Sequence, residues 1–129
     1  MNKILVEVSV GELLDKISIL EIKKEKIKNL DKLKFINDEH VILKSQLEQN
    51  VKYDDKLNNL FQSLKEINAK LWVIEDDKRL CEKDKDFTEK FIKLSRDVHF
   101  LNDDRANIKL EINNYTGSKI KEIKEYAIY

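Results

Sequence analysis

"FTEKFIKLSRDVHFLNDDRANIKLEINNYTG", residues 87–117, decides the fold. Phe87, Phe91, Leu94, Val98, Leu101, Arg105, Ile108 and Ile112 recur at spacings of three and four, which lays them along one face of a helix. Asp86 and Glu89 form a candidate capping box at its start, and Gly117 stands where a left-handed residue would end it. Upstream, from Asp54 to about Asp84, a second stripe of Leu57, Leu60, Leu64, Ile67, Leu71, Ile74 and Cys81 is interrupted only by Lys78. Two long helices joined by the short "KDKD" loop predict an antiparallel hairpin.

Working outward, Ser9 and Glu12 make an S-x-x-E capping box. A helix is expected from Val10 to about Asn29, with apolar residues at 10, 13, 14, 17, 20 and 27. Asp31 is the expected cap of the next helix, which carries Leu33, Ile36, His40, Leu43 and Leu47 and fades near Asn50. Ahead of these, "ILVEV" (residues 4–8) reads as a short strand. Its expected partner is either the C-terminal "YAIY" (126–129) or the same segment of a second subunit. Ser118 is the expected cap of a last short helix reaching about Glu125. The predicted fold is a single all-α domain, residues 1–129: an antiparallel helical bundle with a long hairpin and a short N-terminal β-strand.

Composition narrows the function. Among 129 residues, 25 basic and 25 acidic side chains cancel, so no long-range field draws the protein to nucleic acid or a membrane surface. No apolar run approaches the roughly 20 residues that cross a bilayer, and "MNKILVEV" lacks the apolar core of a signal peptide; the expectation is a cytoplasmic protein. One cysteine permits no intrachain disulfide, and His40 and His99 have no zinc-ligand spacing. No nucleophile elbow, P-loop or HExxH is present.

Chemistry, if any, must come from polar residues placed where packing alone would not put them. Arg105 falls in the middle of an apolar stripe, and a buried guanidinium needs a carboxylate or an anionic ligand. With only three arginines against 22 lysines, each arginine is a candidate for a job that lysine's geometry cannot do. Asn102, Lys109 and Asn113 line up beside Arg105; on the preceding helix Asn68, Trp72, Glu75 and Arg79 share an arc. On the first helix Glu12, Asp15, Lys16 and Lys23 share the side opposite the apolar one. Each has a plain reading as well. Arg105 pairs with Glu75 or Asp76 as a structural ion pair, Trp72 anchors a core, and the first helix's charged side is solvated with Glu12 paired to Lys16. Gly11, inside a helix where glycine costs roughly 0.5–1 kcal/mol, implies a close approach, of a helix backbone or of an anion at free N–H groups.

"EVSVGELLDKISILEIK", "LWVIEDDKR" and "NDDRANIKLEIN" followed by "GS", in that order, resemble the domain of unknown function 6165 family over nearly the whole chain. The matching positions are Ser9, Gly11, Glu12, Asp15, Lys16, Trp72, Glu75, Asp76, Arg79, Asn102, Asp103, Arg105, Lys109 and Asn113. The resemblance implies a small bacterial protein, in a setting sometimes associated with surface-polysaccharide assembly, and implies no particular reaction.

Two functions follow as expectations. The first is an inter-helical polar cleft binding a phosphorylated or anionic small molecule, a nucleotide or sugar nucleotide. There Gly11, Lys16, Arg79, Asn102, Arg105, Lys109 and Asn113 hold the ligand. Glu12, Asp15, Glu75 and Asp103 are the candidate general bases, or ligands of a divalent metal such as magnesium, in a hydrolase or transferase. The second is a non-enzymatic module in which the same groups fix helix register and a homodimer forms through the hairpin or paired strands.

Overall fold

The computed structural model describes residues 3–129 and contains four helices: α1 (Val10–Lys26), α2 (Leu30–Asn50), α3 (Asp55–Asp84) and α4 (Glu89–Thr116). Their starts are set by side-chain caps that satisfy free backbone donors. Ser9 Oγ accepts from the Glu12 N–H at 3.0 Å, Asn29 Oδ1 from Lys32 at 3.0 Å, and Asp54 Oδ1 from Leu57 at 2.9 Å. Asn29, not Asp31, therefore starts α2, and α1 ends three residues earlier than its periodicity implies because Asn29 has already committed the chain to a new helix.

α3 ends on Lys85, which adopts a left-handed φ of 56° while the Asp86 N–H donates to the Cys81 carbonyl at 2.8 Å. Asp86 does not cap α4. Its Oδ1 accepts from both the N–H and the hydroxyl of Thr88, closing a tight turn, so that α4 begins only at Glu89. Gly117, with φ 68°, ends α4 as its position in the sequence implies.

α1 is the hub. It packs against each of the other three helices, α3 and α4 pack on one another, and α2 lies against α1. Leu13, Leu14 and Ile17 of α1 meet Leu47 of α2, Leu57, Phe61 and Leu64 of α3, and Ile112 of α4 in one buried cluster. The start of α3 meets the end of α4, where the Tyr115 hydroxyl donates to Asp54 and the Lys56 ammonium lies 4.6 Å from the Tyr115 ring. Farther along, Lys78 of α3 sits over Phe91 of α4. At 1.5 Å per residue α3 is about 45 Å long and α1 only about 26 Å, so α1 covers little more than half of α3. Beyond Leu71, α3 buries only Cys81, and α4 buries nothing before Lys109.

Neither terminal expectation holds. Among the described residues there is no strand: Ile4, Leu5 and Val6 lie in an irregular segment and are almost fully exposed. The proposed partner within the chain is elsewhere, for Tyr129 packs against the rings of His99 and Phe100 on α4. No helix follows Ser118. Its hydroxyl accepts from the Val10 N–H and donates to the Ile120 carbonyl, so it caps α1 across the fold and is not free to start a helix of its own. No described helix is long and apolar enough to cross a membrane.

The position of the core makes a graded prediction. Leu64→Ala, at a side chain with 0% exposure, removes contacts that neighbouring helices cannot refill and should cost about 2–5 kcal/mol. Val41→Ala, on the outer side of α2, should stay within about 0.5 kcal/mol. Urea unfolding with unchanged m-values checks both.

Candidate functional site

Arg105 does find a carboxylate, but neither Glu75 nor Asp76. Its Nε donates to Asp15 Oδ1 at 2.9 Å and its Nη2 to Asp15 Oδ2 at 2.5 Å, a two-pronged bond between α4 and α1. Asp15 is 2% exposed, which corrects its placement on a solvated face. Periodicity read α1 as a helix with one buried side, whereas a hub enclosed by three neighbours buries residues nearly all round: Gly11, Asp15 and Ser18 as well as the apolar stripe.

The buried carboxylate is fully engaged. Asn68 Nδ2 of α3 donates to Asp15 Oδ1 and to Ser18 Oγ, each at 2.8 Å, and the Ser18 hydroxyl donates to the Asp15 carbonyl. The bond to Asp15, aided by the charges of Glu12 and Glu122, raises the Arg105 pKa against the opposing effect of burial.

A second cluster fastens the start of α1 to α4. The Gly11 N–H donates to Asn113 Oδ1 at 2.7 Å. A Cβ on Gly11 would stand 2.6 Å from the Lys109 carbonyl oxygen and 2.9 Å from Asn113 Oδ1, so this glycine is required by the close passage of the α4 backbone. The N–H groups of Val10, Gly11 and Glu12 are thus taken by Ser118, Asn113 and Ser9, all from the chain itself.

Lys109 Nζ donates to Glu12 at 2.8 Å and to Glu122 at 2.6 Å, clamping the C-terminal segment onto α4. Burial disfavours its ammonium, but the bonds to Glu12 and Glu122 outweigh that and raise its pKa. Glu122 and Ser18 are the members of these clusters that sequence reading missed. Ser18 is signalled weakly, as a hydroxyl one turn after Asp15. Glu122 has no local signal, because its role is created by the chain folding back after Gly117.

Beside the Asp15–Arg105 pair an open cleft of about 550 Å³ runs between α1, α3 and α4, lined by Ile19, Asn68, Leu71, Trp72, Glu75, Asp76, Arg79 and Arg105. Arg105 turns its Nη1 toward Asn102 Oδ1, 3.4 Å away. Arg79, with 74% of its side chain exposed, is held only by Glu75, at 3.2 Å.

Of the expected ligand-holding residues, Arg79 and Arg105 line this cleft, and Asn102 accepts from Arg105 Nη1. Gly11, Lys109 and Asn113 lie in the fastening cluster, and Lys16 projects outward, 4.0 Å from Glu12. The four candidate acids do not converge: Glu12 serves Lys109, Asp15 serves Arg105, Glu75 serves Arg79, and Asp103 accepts from the Tyr129 hydroxyl. No group of three metal-ligating side chains is assembled among the described residues.

Two measurements test the clusters. Arg105→Met strands a buried carboxylate and should cost about 3 kcal/mol, the lower end of the range for breaking such a pair because the arginine is partly solvated. Arg79→Met, losing an exposed pair, should cost no more than about 1 kcal/mol by the same denaturation assay.

The second concerns pH. The Lys109 ammonium, by hydrogen bond and charge, holds the Glu122 carboxyl below its ordinary 4.5 against the effect of burial. A carboxyl whose folded pKa is depressed adds stability that is present above its unfolded value and lost as pH falls through the folded one. Glu122→Gln should therefore lower the melting temperature near neutral pH. Well below pH 4.5, where the wild-type carboxyl is protonated too, the two melting curves should converge.

Neither the curated proteins nor the solved structures contain a match to this chain. A family model does match, over residues 4–129, a span that holds both clusters and the whole of the Trp72 cleft. With essentially the entire chain covered, the protein belongs to the group described as "Family of unknown function (DUF6165)".

Proposed function

We propose that the cleft between α1, α3 and α4 binds a small phosphorylated molecule of the nucleotide or sugar-nucleotide class, and that α3 and α4 form the antiparallel hairpin that frames it. The observation that carries this reading is the state of Arg105. Two of its nitrogens are fixed by a buried carboxylate and its Nη1 rests on Asn102 Oδ1 at 3.4 Å, while the residue lines an open cleft that also holds Arg79 and Trp72. A guanidinium locked in this way presents its remaining donors without further loss of side-chain entropy.

Asp15 offsets the charge of Arg105, so the attraction for an anion comes from directed hydrogen bonds and from Arg79. Freeing Arg79 from Glu75 costs little, since an exposed ion pair contributes about 0–1 kcal/mol. The Trp72 ring offers a flat apolar face of the kind on which bases and sugars stack, and Glu75 and Asp76 are acceptors for ligand hydroxyls. The two carboxylates also weigh against a bare polyanion, which favours a ligand carrying hydroxyl groups beside its phosphate. The reading is of binding rather than turnover: Glu12, Asp15 and Asp103 are tied to Lys109, Arg105 and Tyr129, and Glu75 and Asp76 are assigned to ligand hydroxyls. A second reading, a module that pairs with another copy of itself, is favoured by a separate apolar groove on the other flank of α3.

Trp72 is the only tryptophan, so its emission reports on the cleft directly. Titration with nucleoside diphosphates and sugar nucleotides should give a saturable change in Trp72 fluorescence. Arg79→Ala should weaken it at least about tenfold, the loss of one charge-assisted hydrogen bond. No response to any member of the panel at millimolar concentration refutes the assignment.

A further inference from the structure

We propose that a second copy of this chain docks on the flank of the α3–α4 pair that faces away from the Trp72 cleft. Here Val73, Ile74, Phe100 and Leu101 line an open apolar groove of about 650 Å³. Val73 is 49% exposed and Phe100 38%, and Leu80, seven residues on along the same side of α3, is 51% exposed. Beyond Leu71 α3 buries only Cys81, and α4 buries nothing before Lys109. Large apolar side chains left half-exposed along one continuous face are the anchors of protein–protein contacts.

The charges on the rims identify the occupant. Lys70 stands on the α3 rim and Asp97 on the α4 rim. The contacts Asp54–Tyr115 and Lys78–Phe91 set the register between the helices, and it puts Lys70 within a turn of Asp97 and Asp77 within a turn of Lys93. A two-fold axis running along the groove lays each α3 over the other copy's α4. It brings Lys70 to the partner's Asp97 and Asp77 to the partner's Lys93, and symmetry forms each pair twice. The face is therefore complementary to itself in sign as well as in apolar character. With 25 charges of each sign, two copies also meet without net repulsion. Lys93 and Asp97, now paired within α4 at 2.7 Å, are exposed enough for Asp97 to exchange partners at little cost.

Sedimentation equilibrium of the full chain, from micromolar to submillimolar loading, tests this. The expected result is a concentration-dependent species of twice the chain mass. Val73→Glu should raise the dissociation constant at least tenfold while leaving the helical circular dichroism and Trp72 emission unchanged. Lys70→Glu should weaken the dimer, and adding Asp97→Lys should restore it, a rescue that general damage to the fold would not give. A wild-type chain that is monomeric throughout overturns the proposal, as does a dimer indifferent to Val73→Glu. Failure of Asp97→Lys to rescue overturns the two-fold register.

Discussion

The fold turns on a single buried carboxylate. Asp15 sits near the middle of α1, out of water, and is compensated by Arg105 from α4 and Asn68 from α3. Three helices thereby share one electrostatic centre. An uncompensated charge at that position would cost several kcal/mol, so α1 has one acceptable rotation and one acceptable height in the bundle. Apolar packing alone would not impose this, since Leu13, Leu14 and Ile17 would be nearly as well buried after a small slide. The close approach at Gly11, one turn away, follows from the same fixed height, because it places the α1 backbone against the Lys109 carbonyl.

From this centre the polar residues divide by accessibility. Toward the start of α1 they fasten the fold: Asn113 accepts from the Gly11 N–H, Ser118 from the Val10 N–H, and Lys109 donates to Glu12 and Glu122, which holds the ends of the chain together. Toward α3 they open to solvent, and there Arg79, Trp72 and Arg105 share a cleft. The same residue types do structural work in one place and remain available to a ligand in the other. What separates the two is whether the C-terminal segment lies over them.

The helices and their order were legible because the 3,4 rhythm of α3 and α4 and the capping residues Ser9 and Gly117 are local signals. The oddity of Arg105 was legible too, since it breaks an apolar stripe. Its partner was not. Periodicity assigns a helix one buried side, and Asp15 fell on the side that only tertiary structure buries. The terminal strand failed for the complementary reason. "ILVEV" has strand-forming side chains, but a strand is a property of two segments, and the tail, one of its two candidate partners, packs against α4 through Tyr129. Glu122 lies thirteen residues beyond Lys109, and only the reversal of the chain after Gly117 joins them.

The Asp15–Arg105 pair also bears on whether the cleft exists for a purpose. A buried ion pair is no efficient way to stabilise a bundle, because well-packed apolar residues of similar volume do as well or better. Register is one return on that cost, yet a neutral amide pair between α1 and α4 would fix register without desolvating two charges. What a neutral pair would not supply is a rigid, permanently charged donor edge at the mouth of an open cleft. Arg105 gives two nitrogens to Asp15 and rests the third on Asn102, and it lines the cleft beside an arginine held only by Glu75 and an aromatic ring. Stability accounts for the inner half of that arrangement and register for its position, and the proposed ligand is what would give the open cleft beside it a use.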